Sequence, residues 1–261
     1  MMERLDQQLG ALAQSVDKLA ARAQAEVDAR PARSSPALPI VAPRLSFALK
    51  HMDALPSGGQ QPLAIFCEFE QFVCTQHTES VLLPRAVAGR DERRDALADL
   101  NLPLKEAVAK LEAAGVVLAP GFEDFAELCS IRQVRLYILS HGLKPVIRHF
   151  LRQAGLGHIE VLANYLGFKA DGAWEVCFRD NSGAGHDKGE TLQQVLHGSQ
   201  LNARVVFVGA AGDDFSAVES GLVNTLYAPK GSPLSQRCET AGLRTRAFAG
   251  WEAMMNELQL T

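Results

Sequence analysis

Four short apolar runs rich in strand-forming residues, Pro62 to Cys67, Val134 to Leu139, Ile159 to Leu166 and Arg204 to Val208, alternate along the chain with helical segments. The intervening stretches Gly121 to Ser130, Leu143 to Gln153, Lys188 to His197 and Phe215 to Ser220 carry helical spacing or composition. Alternation of this kind predicts an α/β fold, a three-layer, Rossmann-like parallel sheet wrapped by helices. In such sheets ligands sit beyond the carboxyl ends of the strands. Glu68, Ser140 and the loop at Gly209 all fall on that edge.

Two further segments extend the pattern. Leu102 to Gly115 reads as a helix with Leu104, Val108 and Leu111 on one side, and with Arg90 to Leu100 it predicts a small helical insert. Towards the end, Thr225 to Ala228 reads as a short strand, and Ser232 to Ala241 and Trp251 to Leu258 as helices. At 261 residues, 47% hydrophobic and 21% charged, the chain has material for one main domain with a small accessory element.

Ahead of that domain, Leu5, Leu9, Leu12, Val16, Leu19 and Ala23 alternate spacings of four and three, which lays them along one stripe of a helix over residues 1–29. Such a helix suits pairing with another chain, docking on the body of the protein, or organelle targeting. The acids Glu3, Asp6, Asp17, Glu26 and Asp28 argue against a mitochondrial leader, which is usually poor in them. Pro31, Ser34, Ser35, Pro36, Pro39 and Pro43 make residues 30–43 an extended linker, so the globular domain is expected over 44–261.

Net charge is −4 and the isoelectric point about 6.0, which provides no basic footprint for nucleic acid. Cys67, Cys74, Cys129, Cys177 and Cys238 are scattered and odd in number, without C-x-x-C spacing, as expected of a reducing compartment. No apolar run approaches the roughly 20 residues needed to span a bilayer, and no secretion signal is recognisable. An intracellular, cytoplasmic location is the expectation, with mitochondrial import the alternative.

The chemistry-bearing positions form four blocks. Phe66-Cys67-Glu68-Phe69-Glu70 follows the first run. Val117 to Phe122 leads to Leu136-Tyr137-Ile138-Leu139-Ser140-His141-Gly142. His186-Asp187-Lys188-Gly189 is third, and Val205-Val206-Phe207-Val208-Gly209-Ala210-Ala211-Gly212-Asp213-Asp214-Phe215 fourth. In order and spacing these blocks resemble the haloacid dehalogenase superfamily, in particular its branch of phosphoserine phosphatase and methylthiopentenyl-phosphate phosphatases, over residues 62 to 258. The resemblance implies a reduced helical cap over about 75–118 and a phosphate held by Ser140 and Lys188.

It also implies a nucleophile at position 68, a general acid and base at position 70, and magnesium held by Glu68, Glu70 and Asp214. The superfamily has aspartate at the first two positions and a further aspartate where this chain has Ala210. An added methylene moves each carboxylate by about 1.5 Å, and about 1 Å of misplacement costs roughly a hundredfold in rate. Gln71 and Phe72 also put bulk where a phosphoryl group would be cradled, and Ala210 supplies no ligand.

The expected function is therefore a phosphatase-like binding or structural component with an impaired site. A magnesium-dependent phosphomonoesterase acting on a small phosphorylated metabolite is the alternative, and a metabolite-binding sensor a third reading. Read by themselves, Glu68 and Glu70 could be solvated strand-end carboxylates, Ser140 the cap of the helix near Leu143, Lys188 an exposed lysine, and Arg90, Arg93 and Arg94 a solvated face. His141, His149, His158 and His186 lack the spacing of a metal set on one helix.

Overall fold

The computed structural model describes residues 62–260 except 88, 101 and 170–172. The chain divides into two units, Met1–Ser46 and Phe47–Thr261, and the described residues all belong to the second. The expected helix over 1–29 and linker over 30–43 lie outside them.

Strand β1 (Leu63–Cys67) is followed by an irregular turn over Phe69–Val73, then by α1 (Thr78–Leu82), α2 (Arg90–Ala98), α3 (Leu104–Ala113) and α4 (Phe122–Ile131). Next come β2 (Arg135–Leu143), α5 (Lys144–Gln153), β3 (Glu160–Phe168), β4 (Trp174–Cys177) and α6 (Lys188–Gly198). The chain closes with β5 (Arg204–Val208), a 3₁₀ turn at Gly212–Asp214, α7 (Phe215–Glu219), β6 (Thr225–Ala228), α8 (Pro233–Thr240), β7 (Arg246–Ala247) and α9 (Trp251–Glu257).

The strands form one sheet in the order β4-β3-β2-β1-β5-β6-β7. Every pairing is parallel except β3 with β4, an antiparallel edge hairpin. Successive residues of a strand point to opposite faces, which divides the core in two. Ala64 and Phe66 of β1 pack with Leu192 of α6, Phe215 of α7 and Leu234 of α8. Ile65 and Cys67 pack on the other face with Phe125 of α4, Ile147 and Phe150 of α5, and Trp251 of α9. Helices thus cover both faces of a mostly parallel sheet, as the alternating sequence pattern predicts.

The central place of β1 follows from its pairing with β2 on one side and β5 on the other, both parallel. Its end is therefore flanked by the ends of β2 and β5, and three loops far apart in sequence meet there. Helices α1, α2 and α3 are inserted between β1 and β2. The segment is tied back to the body by the Cys74–Leu118 bridge and by the bond from Ala119 N to Val73 O, 2.9 Å. Trp174, fully buried, donates from its indole to Leu102 O and so anchors the insert to the edge hairpin.

Candidate functional site

Glu68 leaves β1 with its amide still bonded to Val208 O of β5 at 2.9 Å, so its backbone is fixed by the sheet. Its Oε1 accepts from Phe69 N at 2.8 Å and Glu70 N at 3.4 Å, and its Oε2 accepts from the Lys188 ammonium. The side chain is buried rather than solvated. Immediately afterwards Gln71 takes φ 67°, a left-handed conformation that side chains other than glycine adopt at a cost of about 1–2 kcal/mol. That reversal turns Phe72 into the core, where its ring meets Phe248 at 5.1 Å and its carbonyl accepts from Trp251 Nε1 at 2.9 Å.

Lys188 is completely buried. It stands one residue after Asp187, which caps α6 by accepting from Glu190 N at 3.0 Å. Gly189 lets α6 approach closely, because a Cβ there would lie 2.3 Å from Ser216 O. The ammonium reaches both Glu68 and Asp214. Asp214 in turn accepts from Ala210 N and Ala211 N, each at 2.9 Å, and so braces the turn leaving β5. Gly209 is required in that turn, since a Cβ on it would come within 2.5 Å of Asp214 Oδ2.

The two carboxylates and one ammonium leave a residual negative charge in a buried place. Burial by itself would raise Glu68, but Lys188 outweighs it and holds the carboxyl down at about 2. Burial pushes Asp214 up, so of the two acids sharing the ammonium Glu68 carries the charge more firmly. Lys188 is driven down by burial and is nonetheless raised, by Asp214 first and Glu68 second. It stays protonated throughout the physiological range.

Glu70 is also buried, but it turns away from the ammonium. It accepts from Thr78 N and Thr78 Oγ1, each at 2.7 Å, and so holds the start of α1. Burial pushes its carboxyl up to about 8, against the lowering effect of those bonds. Glu68 is therefore ionised and Glu70 mostly protonated at neutral pH, a division of roles that adjacent carboxyls acquire when their environments differ.

Ser140 lies in an irregular extension of β2, where the pairing with β3 shifts between Leu139 and Leu143. Its hydroxyl accepts from Gly142 N at 3.0 Å and makes a small contribution to holding the Glu68 carboxyl down. It does not cap α5, whose N-cap is Leu143 without a side-chain bond. The structure thus brings Glu68, Ser140, Lys188 and Asp214 together, and sets Glu70 beside them. The solvated reading of the acids and the exposed reading of Lys188 are corrected by their burial, which the sheet-end position imposes.

Sequence spacing gives no sign of three further participants. His141 Nδ1 lies 3.9 Å from Glu68 Oε2, and its Nε2 donates to His186 O at 3.1 Å and lies 3.6 Å from Asp213 Oδ2. His186 is buried, with Ser140 O and Thr191 Oγ1 each 2.9 Å from its ring nitrogens, and burial takes its pKa down to about 3. Arg93 of α2 pairs with both Glu79 oxygens and donates to His141 O, binding the insert to the end of β2. It is not part of a solvated face. The signals that could have been used are the imidazole directly after Ser140 and the Glu79–Arg93 pair flanking the insert's first loop.

Glu68, Glu70, Arg93 and His141 line a cleft of 740 Å³ between the insert and the sheet edge, together with His77, Arg90 and the Ala210–Asp213 turn, whereas Ser140, His186, Lys188 and Asp214 are buried behind its wall. One ligand atom from each of Glu68, His141 and Asp214 lies within 4.8 Å of the others. The set does not fit magnesium. Magnesium requires six oxygens in near-octahedral array, whereas one of these donors is an imidazole nitrogen. The Lys188 ammonium already engages both carboxylates, one Asp214 oxygen is taken by two amides, and Ala210 contributes a methyl group.

Sheet order and the position of the insert match the haloacid dehalogenase-like α/β fold. A phospho-aspartyl intermediate analogue of phosphoserine phosphatase superposes with a TM-score of 0.57 at 15% identity, covering 76% of this chain and 99% of that one. In sequence the chain is similar to Pdp3-interacting factor 1 of Schizosaccharomyces pombe, 28% identical over 183 residues, or 68% of this chain and 79% of the relative. It is also similar to the polyol phosphate phosphatase PYP1 of Saccharomyces cerevisiae, 25% identical over 165 residues, 59% of this chain and 67% of that protein. No protein-family model matches the chain.

Proposed function

We propose that this protein is a phosphatase-like binding or structural component of the haloacid dehalogenase fold in which phosphoryl transfer is impaired. One observation carries the reading: the Lys188 ammonium is engaged by Glu68 and Asp214 at once, while position 210 has no ligand. The cation intended to meet phosphate oxygens is thereby committed to the protein's own acids. Similarity to a relative named for its interaction with another protein supports the binding role. We assign the globular domain to 44–261 and the reduced cap to about 75–118, with residues 1–29 a candidate for association with a protein partner or a second copy.

The experiment is direct. Purified full-length protein incubated with magnesium and either p-nitrophenyl phosphate or a polyol phosphate is expected to release phosphate no faster than a heat-treated control. Turnover of about 1 per second or more, ordinary for an enzyme, would overturn the assignment.

A magnesium-dependent phosphomonoesterase acting on a small phosphorylated metabolite is the second reading, favoured by the opposed protonation of Glu68 and Glu70. In it Glu68 attacks phosphorus as Glu70 gives its proton to the leaving oxygen, Glu70 then takes a proton from the water that hydrolyses the acyl-phosphate, Ser140 and Lys188 hold the phosphate, and Asp214 would help hold magnesium. It requires a covalent acyl-phosphate at Glu68, detectable as a phosphate-mass adduct on the peptide that contains it.

An intracellular location is part of the proposal. All five cysteines are free, four of them buried, which suits a reducing compartment. Among the described residues no helix is long and apolar enough to cross a membrane.

A further inference from the structure

Away from the sheet edge, residues of α3 and α5 line an open groove of 1000 Å³. Its floor is apolar, formed by Leu104 and Val108 of α3 and Pro145 of α5. Tyr165 of β3 closes one end with half of its surface exposed. Cations rim both sides, with Lys105 on α3 and Lys144, Arg148 and Arg152 on α5.

The acid among these lining residues, Glu112, is already held, with His149 Nε2 at 2.9 Å and Gln153 Nε2 at 2.7 Å. The four cations are thus opposed by one engaged carboxylate, in a chain whose net charge is −4. The groove is a local inversion of the protein's charge. Arg148 Nε is buried without a hydrogen-bond partner, and Lys144 rests on the Tyr165 ring at 4.8 Å and donates to its hydroxyl at 3.2 Å.

We propose that this groove is a docking site for an acidic amphipathic helix of a partner protein. The inference rests on the binding role proposed above and names the surface that serves it. An apolar floor between two cationic rims matches a helix whose leucine-type stripe is flanked by glutamates or aspartates, the helix-in-groove mode of recognition. An open trough bounded by two helices suits a third helix packed along them. Charge on the rims selects the partner and speeds encounter, while the apolar floor holds it.

The test uses the full-length protein and a fluorescent synthetic peptide of about 18 residues, long enough for a helix, with leucines at helical spacing and glutamates on the flanks. Anisotropy should report binding that weakens as salt rises, because exposed charges are screened. Lys105→Glu with Arg152→Glu, both exposed, should leave the melting temperature unchanged and weaken binding about tenfold or more. A peptide of the same composition with its leucines scrambled should bind correspondingly less.

No binding up to about 1 mM peptide would overturn the proposal. So would affinity indifferent to the double variant, or equal binding of the scrambled peptide, which would mark a general polyanion surface. A shift in the protein's own oligomeric state with the double variant would assign the groove to a second copy and overturn it too. Phosphatase turnover in the previous assay would remove the impaired-site reading while leaving peptide binding to be judged on its own.

Discussion

Lys188 donates to the carboxylate of Glu68 across 120 residues of sequence, and both side chains are buried. The start of α6, which carries Lys188, is held close against Ser216 of α7, where a Cβ on Gly189 would lie 2.3 Å from the Ser216 carbonyl. Around the Lys188–Glu68 pair the energetics of the site can be tested one residue at a time.

Replacing Lys188 with methionine keeps most of the stem and removes the charge. Two buried acids then lose their counter-ion, and breaking a buried pair in this way costs about 3–5 kcal/mol. Urea unfolding at pH 7 should show that loss. Glu68, lowered to about 2, contributes stability that is complete above its unfolded value near 4.5 and disappears as pH falls towards 2. The variant should therefore have a shallower acid limb than the parent, and an identical limb would mean that the ion pair does not control it.

Glu70 has the opposite sign. Its carboxyl is raised to about 8, so between about 4.5 and 8 the folded state holds a proton that the unfolded chain releases. Stability should fall as pH rises through that window and level off above it. Glutamine can accept from Thr78 N through its carbonyl oxygen and, with the Thr78 hydroxyl rotated, donate to Thr78 Oγ1 through its amide. Glu70→Gln should accordingly fold normally and flatten the window, gaining on the order of 4 kcal/mol at pH 8. Thermal melts from pH 5 to 9 would check this, and an unchanged slope would count against a protonated Glu70.

Restoring ligand chemistry should restore ion binding. In the triple variant Glu68→Asp, Glu70→Asp, Ala210→Asp the carboxylates shorten and an oxygen replaces a methyl group. Calorimetry should detect magnesium binding absent from the parent, with phosphatase activity appearing alongside it. If the parent already takes up magnesium at comparable affinity, Ala210 is not the missing element.

Arg93 ties the insert to the sheet edge through Glu79 and the His141 carbonyl, which also accepts from Asn164 Nδ2 at 2.7 Å. Truncating one partner of a buried charged bond costs about 2–5 kcal/mol. Arg93→Ala should speed amide exchange in α1 and α2 while leaving β1, β2 and β5 protected. Exchange that rises evenly over the whole domain would show that the insert has no separate opening.

The layered fold was legible because apolar runs and helical spacing are local patterns, and the four strands and most helices stand within a few residues of their expected limits. β4 escaped notice because four residues at a sheet edge carry little periodicity, although the preceding Asp171-Gly172 pair is a hairpin signal. β7, two exposed residues long, carries less still.

Residue identity by itself determined that positions 68 and 70 hold glutamate and that position 210 holds alanine, which cannot bind a metal, since these are properties of single side chains. Tertiary structure alone decided that Lys188 is buried against Glu68 and Asp214, that Glu70 keeps its proton beside Thr78, and that Arg93 holds down the insert. Burial and charge pairing are made by strand ends and helix starts that meet only after the sheet has ordered them. No local pattern in the chain encodes a distance between residues so far apart.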